Sequence, residues 1–364
     1  MPLTTVDQGL LSTNAQYTGF KNRLINGDMT IDQRNNGASV STTPTDAIYT
    51  LDRWMAAFNT ATRYTVQQNA GSVTPPTGFT NYLGCTSTAA TSVGSSNYYF
   101  LQQIIEGFNV ADLGWGTANA QTVTLSFWVR SSLTGTFGGA LSNGAQNRSY
   151  PFSYSIAAAN TWEYKTVTVV GDTTGTWITN NGAGLRLRLG LGVGSTLSGT
   201  AGAWAGSNFA SSTGATSVVG TNGATFYVTG VQLEKGQTAT SFDVLPYGTE
   251  LQLCYRYYYK WLNDTGANRY VANIQAYSAT AAFGKLLDLP VTMRATPTCS
   301  RSGTFTLTNS ASNNAGNPST ISLSATRFSI DSGDILGGIS GLSAGNCTVL
   351  IASNNAFIDA SAEL

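Results

Sequence analysis

The chain contains no histidine in its 364 residues. That absence excludes Ser–His–Asp and Cys–His catalysis, and any metal centre built on imidazole. Charge is scarce as well: 18 Lys and Arg stand against 18 Asp and Glu, 10% of the residues, for a formal net charge of zero. No cationic excess exists to neutralise nucleic-acid phosphates or an anionic bilayer, so neither nucleic acid nor membrane insertion is expected. Four cysteines, Cys85, Cys254, Cys299 and Cys347, stand far apart with no Cys-x-x-Cys pair. Such spacing fits neither a zinc or iron–sulfur site nor a disulfide scaffold, and the thiols are expected to be mostly buried. No apolar run reaches the ~20 residues of a bilayer span. The start, Met1-Pro2-Leu3-Thr4, lacks the basic and then apolar pattern of a secretory signal, which points to synthesis in a cytoplasm. No cofactor and no metal are expected.

Polar neutral residues and aromatic rings take the place of charge: 40 glycines, 41% hydrophobic residues and 11% aromatic. In residues 122–130, Val123, Leu125, Phe127 and Val129 alternate with Thr124, Ser126, Trp128 and Arg130. Strict alternation over that length predicts a half-buried strand. Residues 161–170 are rich in aromatic and β-branched side chains and predict another strand. Leu185, Leu187, Leu189 and Leu191 alternate with Arg186, Arg188 and Gly190, predicting a strand with one wet face. A fourth strand spans 225–234, and Gly230 within it predicts a bulge. Residues 99–108 suit a helix or a strand equally. Short strands between Gly, Asn and Ser turns predict an all-β protein, a jelly-roll β-sandwich followed by a smaller C-terminal β-domain.

Three segments follow: an attachment arm at 1–20, a sandwich at 21–246 and a second β-domain at 247–364. The second opens on a short helix near 249–254 and closes on a strand over 356–364 that runs to the chain end. Residues 194–223 are some thirty residues of Gly, Ser, Thr and Ala around one large ring, Trp204. A loop that long is either a surface excursion pinned by the tryptophan or a loop that presents it to a ligand.

Five stretches resemble a family of bacteriophage and prophage tail-fibre proteins: FKNRLINGDMTIDQRNNG (20–37), YTLDRWM (49–55), VTLSFWVRSS (123–132), FYVTGVQLEKG (226–236) and TSFDVLPYGTELQLCYRYYYK (240–260). The resemblance implies a carbohydrate-binding-module-like jelly roll on a virion appendage, a tail fibre, that recognises a host-surface polysaccharide or lipopolysaccharide. It also implies a homotrimer. Trp54, Trp128 and Tyr247 read as structural members of the shared motifs. Only about twenty residues precede the first motif, so residues 1–20 are the expected attachment to other virion tail proteins. The family supplies no catalytic motif that transfers to this chain.

Three functions compete. Sugars are held by stacking on aromatic rings and by a few placed hydrogen-bonding groups. Trp115, Trp177 and Trp204 sit in glycine-rich contexts, and with Asn208 they are the glycan-binding candidates. Packing is the competing role for each ring. The alternative is a structural decoration or adaptor subunit, for which Tyr257, Tyr258, Tyr259 and Trp261 are the oligomer-interface candidates. A depolymerase would need a carboxylate pair; Asp28/Asp32 and Asp331/Asp334 exist, yet all four suit turns better. No catalytic residue is therefore assigned. A neutral surface of this kind is expected to bind with little dependence on salt.

Overall fold

Along the first part of the chain, side-chain alternation resolves into strands that cross between two layers. They are β1 (Val40–Ser41), β2 (Ala47–Leu51), β3 (Trp54–Phe58), β4 (Tyr64–Gln68), β5 (Leu83–Ser87), β6 (Tyr98–Glu106) and β7 (Val123–Ser131). There follow β8 (Gly135–Asn143), β9 (Ser149–Ile156), β10 (Glu163–Val169), β11 (Ala183–Val193), β12 (Ser198–Gly199), β13 (Ser211–Ser212) and β14 (Thr225–Lys235). This is a computed structural model describing residues 21–41, 47–276, 278, 281–283, 285–309, 320–323, 332–338 and 347–364. Residues 1–20 and Asp331 lie outside the described residues. The chain divides into two compact units, Met1–Pro246 with Leu364, and Tyr247–Glu363.

The first unit is a jelly-roll sandwich of two six-stranded sheets, ordered β1-β4-β5-β14-β7-β10 and β2-β3-β6-β11-β8-β9. Inward-facing Val123, Leu125, Phe127 and Val129 of β7 join Leu185, Leu187, Leu189 and Leu191 of β11 in one buried core. Each such side chain contributes about 2 kcal/mol by leaving water. The segment that suited helix or strand equally is a strand, β6, because β3 and β11 pair with it on either side. At Gly230 the backbone takes φ +60° and the β14–β7 register shifts between Thr229 and Gln232, the predicted bulge. The ring of Phe79 occupies the space a Cβ would need there, 2.5 Å from its ideal position.

The motifs at 20–37 and 49–55 are tied to each other. Asn26, at φ +58°, donates from its amide to the carbonyls of Ile31 at 2.8 Å and Asp52 at 2.9 Å. Its own carbonyl accepts the Trp54 indole N–H at 2.9 Å, and Trp54 is fully buried. Tyr247 differs from the reading as a packed motif residue, because it is exposed at the start of a helix, α1 (Tyr247–Tyr255).

The long segment 194–223 is a surface excursion bonded along its length to the second sheet. Ala205 exchanges both backbone hydrogen bonds with Ser149 on edge strand β9, and Gly202 N–H donates to Pro151 at 2.9 Å. Thr216 N–H donates to Thr136, and Val218 and Val219 both donate to Leu191. Part of the segment forms the small parallel pair β12–β13. It can lie this close because β8 and β11 carry glycine beneath it. A Cβ on Gly138 would stand 2.4 Å from the Ser211 and Ser212 hydroxyls and 2.8 Å from the Ser212 nitrogen. On Gly190 it would stand 2.9 Å from Ser211 Oγ.

In the second unit, α1 leads into a three-stranded sheet in which Phe357–Ser361 lies between Tyr258–Leu262 and Thr298–Ser302. Ile274, Phe305, Leu350 and Ile358 are among the residues of its core. The helix near 249–254 stands where the sequence predicts it, and the closing strand stands within 356–364 but stops at Ser361, short of the chain end.

Because the loop seats on backbone and small side chains, a branched residue beneath it must displace it. Gly138→Val is expected to lower stability by about 1–3 kcal/mol. It is also expected to make 194–223 the first segment cut by protease. Thermal unfolding and limited proteolysis with mass mapping check both outcomes.

Candidate functional site

The outward face of the second sheet carries Met55 and Ala57 of β3, Tyr98, Phe100 and Gln102 of β6, and Arg186 and Arg188 of β11. Their register is fixed: Met55 pairs with Gln102, Ala57 with Phe100, and Arg188 with Gln102. The excursion adds Leu197, Asn208 and Ala210 as a wall, and Gln146 enters from the β8–β9 turn. Together they line a groove of about 270 Å³ running across the strands.

Arg188 lies at its centre. The sequence predicts a wet face here, yet Arg188 is only 3% exposed, because the excursion roofs it. Its Nε donates to Gln102 Oε1 at 2.9 Å and Nη1 to Asn208 Oδ1 at 2.8 Å. Nη2 donates to Gln146 Oε1. The guanidinium lies over the Phe100 ring, 5.1 Å from its centroid, and Tyr98 stacks beside Phe100 with centroids 5.4 Å apart. Burial, with a smaller contribution from nearby Arg186, pushes the Arg188 pKa down to about 9. The group is still protonated at neutral pH. Arg186 is half-buried, and its Nε reaches Gly144 O at 3.4 Å. Rings, amides and cations thus meet along one trough. That combination has the chemistry to hold a polar ligand carrying apolar faces.

Of the four glycan-binding candidates, Asn208 alone lines this groove. The structure gathers the three tryptophans elsewhere, in one edge-to-face cluster. Centroid distances are 4.7 Å for Trp115–Trp177, 5.3 Å for Trp115–Trp204 and 5.5 Å for Trp177–Trp204, with Tyr150 completing the cluster 5.3 Å from Trp204. Every indole N–H is spent on backbone: Trp115 on Gln121, Trp177 on Thr174, Trp204 on Val170. Trp204 therefore pins the excursion to the core. A second cleft of about 410 Å³ opens beside Trp115 and Trp177.

Tyr257 and Tyr258, offered as interface residues, are buried, whereas Tyr259 and Trp261 are half-buried against the core of their unit. Asp32 accepts backbone N–H bonds from Asn35 at 2.9 Å and Gly37 at 2.7 Å, and Asp28 accepts one from Thr30, so both shape turns. Among the described residues, no group of three or more His, Cys, Asp or Glu is placed to hold a metal, and no helix is long and apolar enough to cross a membrane. Cys85 and Cys254 are buried, Cys299 is half-buried and Cys347 is exposed.

The groove residues Tyr98, Phe100, Gln102, Gln146, Arg186 and Arg188 do not stand out in the sequence. The one available signal was two arginines on one strand face in a chain so poor in charge.

The tryptophan cleft is braced by Asp172. It is 2% exposed and takes two hydrogen bonds from Arg148, Nε to Oδ2 and Nη2 to Oδ1, both at 2.7 Å. Burial raises its pKa, but Arg148 and the amide and hydroxyl of Thr174 together hold the carboxyl below its ordinary range. A depressed folded pKa contributes stability above the unfolded value, about 3.9, that is lost as pH falls through the folded value. Asp172→Asn is expected to cost about 2 kcal/mol at pH 7, less than for a fully buried pair because Arg148 reaches solvent. The gap from the parent chain is expected to narrow as pH falls below the ordinary carboxylate range. Urea unfolding across that range measures it.

No protein-family model matches the chain, and no curated protein matches it. Among solved structures it is similar to a domain of the tailspike protein 4 of bacteriophage CBA120, at 11% identity and TM-score 0.31, over 51% of this chain and 20% of that one. It is similar to a putative sugar-binding protein of Bacteroides thetaiotaomicron at 13% identity and TM-score 0.35, over 59% of this chain and 100% of that one. It is also similar to the carbohydrate-binding module TmCBM61, solved with beta-1,4-galactotriose, at 10% identity and TM-score 0.30, over 59% of this chain and 99% of that one. Similarity at these low scores carries no functional argument; the geometry of the groove does.

Proposed function

We propose that this chain binds a glycan in the groove on the second sheet, without cleaving it, as a receptor-binding protein of a phage tail fibre. The observation that carries the reading is the partly exposed Tyr98 ring, backed by the buried Phe100 ring, beside Gln146, Asn208 and two arginines in one trough. Rings pack against the C–H faces of a sugar, and amides meet its hydroxyls. Among the described residues the groove's lining contains no Asp or Glu that could serve as a hydrolytic pair. The fibre-like motifs at 20–37, 49–55, 123–132, 226–236 and 240–260 support the placement on a virion. In this reading residues 1–20 dock on a neighbouring tail protein and the chain works as a homotrimer, its ligand a polysaccharide or lipopolysaccharide of the host surface.

The cleft beside Trp115 and Trp177 favours a second reading, in which those rings hold the sugar. Two variants separate the two. Tyr98→Ala is expected to weaken glycan binding about tenfold, the loss of one aromatic contact. Thr179→Trp, which fills the cleft, is expected to leave binding unchanged. Glycan-array and surface-binding measurements on folded variants check this, and the opposite pattern assigns the ligand to the cleft.

A further inference from the structure

Every side-chain hydrogen bond of Arg188 goes to a neutral amide oxygen. A buried cation without an opposite charge is costly, by several kcal/mol after relaxation. Two other arginines of the sandwich meet carboxylates: Arg23 is clamped by Asp112 and Arg148 by Asp172. Here a second cation, Arg186, sits two residues away on the same strand face, where it worsens the repulsion. No carboxylate lines the groove among the described residues. The three amides hold the guanidinium over Phe100 and use three of its five N–H donors. That arrangement fixes a cation in place and leaves its charge unmatched.

We propose that the groove takes an acidic glycan, a polymer bearing uronic-acid or similar carboxylates, whose anionic group meets Arg188 and Arg186. The inference rests on the groove being the glycan site and names the class of sugar it selects. A planar carboxylate matches a guanidinium fork, and the bond between them is charge-assisted. Binding therefore weakens with added salt, unlike the weakly salt-dependent binding expected from composition alone.

The test uses the full chain against a panel of polygalacturonate, alginate, hyaluronate and polysialate, beside neutral galactan and dextran, carboxyl-reduced polygalacturonate and dextran sulfate. The expected result is binding to at least one carboxylated polymer, reduced about tenfold or more by Arg188→Met and several-fold by Arg186→Gln. Arg186→Gln, at a half-exposed position, keeps the test decisive if Arg188→Met fails to fold. Binding of neutral glycans only, sensitive to Tyr98→Ala and indifferent to both arginine variants, overturns the acidic class and leaves the groove intact. No binding of any glycan by the folded chain overturns both. Equal binding of dextran sulfate, unaffected by either arginine variant, reduces the effect to general charge attraction and also overturns the proposal. Asp46 lies outside the described residues and next in sequence to Ala47 of the groove, so Asp46→Asn is measured alongside. Acidic-glycan binding that emerges only in that variant shows an internal counter-ion and overturns the proposal.

Discussion

The candidate site depends on the close approach of one loop to one sheet. The outer face of a sandwich sheet ordinarily faces water, and a strand reading Leu-Arg-Leu-Arg-Leu presents its arginines there. Here residues 194–223 lie across that face, held by backbone hydrogen bonds to Ser149, Pro151, Thr136 and Leu191. Gly138 and Gly190 leave the space that a side chain would take. The roof turns an exposed sheet into a groove and an exposed arginine into a buried one. Burial raises the worth of each polar contact made there, because water no longer competes.

The same loop explains why the tryptophans and the groove are separate. Trp204 anchors the excursion by packing against Trp115, Trp177 and Tyr150, and Asn208, four residues later, reaches Arg188. One stretch of chain thus carries both an anchor and a side chain that lines the groove. The anchor is the larger residue and the more visible in sequence, while the groove contact belongs to a small amide.

Much of the fold was legible. Alternation in 122–130 and 185–191 marked β7 and β11, the strand expected at 225–234 is β14, and Gly230 marked its bulge, although the polar faces of these strands are more covered than alternation implies. The glycan-binding candidates were less legible, for a physical reason. Tryptophan in a glycine-rich loop signals a constrained ring, but sequence does not say which side of the ring faces solvent. Arg186 and Arg188 alternate with leucines as any surface arginines would, so nothing local distinguished them. Their burial is set by residues 194–223, which carry no strand pattern, and by Gln102, 86 residues away in sequence from Arg188. Such contacts are fixed by topology, and the two readings of the long loop could be told apart only once its partners were known.

The central claim is that ligand enters the groove over Arg188. Arginine side-chain NMR tests it directly, since the Nε–H of Arg188 is buried and hydrogen-bonded, which is expected to slow its exchange with water. On titration with an oligosaccharide of the bound class, the Arg188 and Arg186 signals are expected to shift together, while Arg148 beside the tryptophan cleft stays fixed. Shifts at Arg148 and the Trp115 and Trp177 indoles, with Arg188 unmoved, would contradict it.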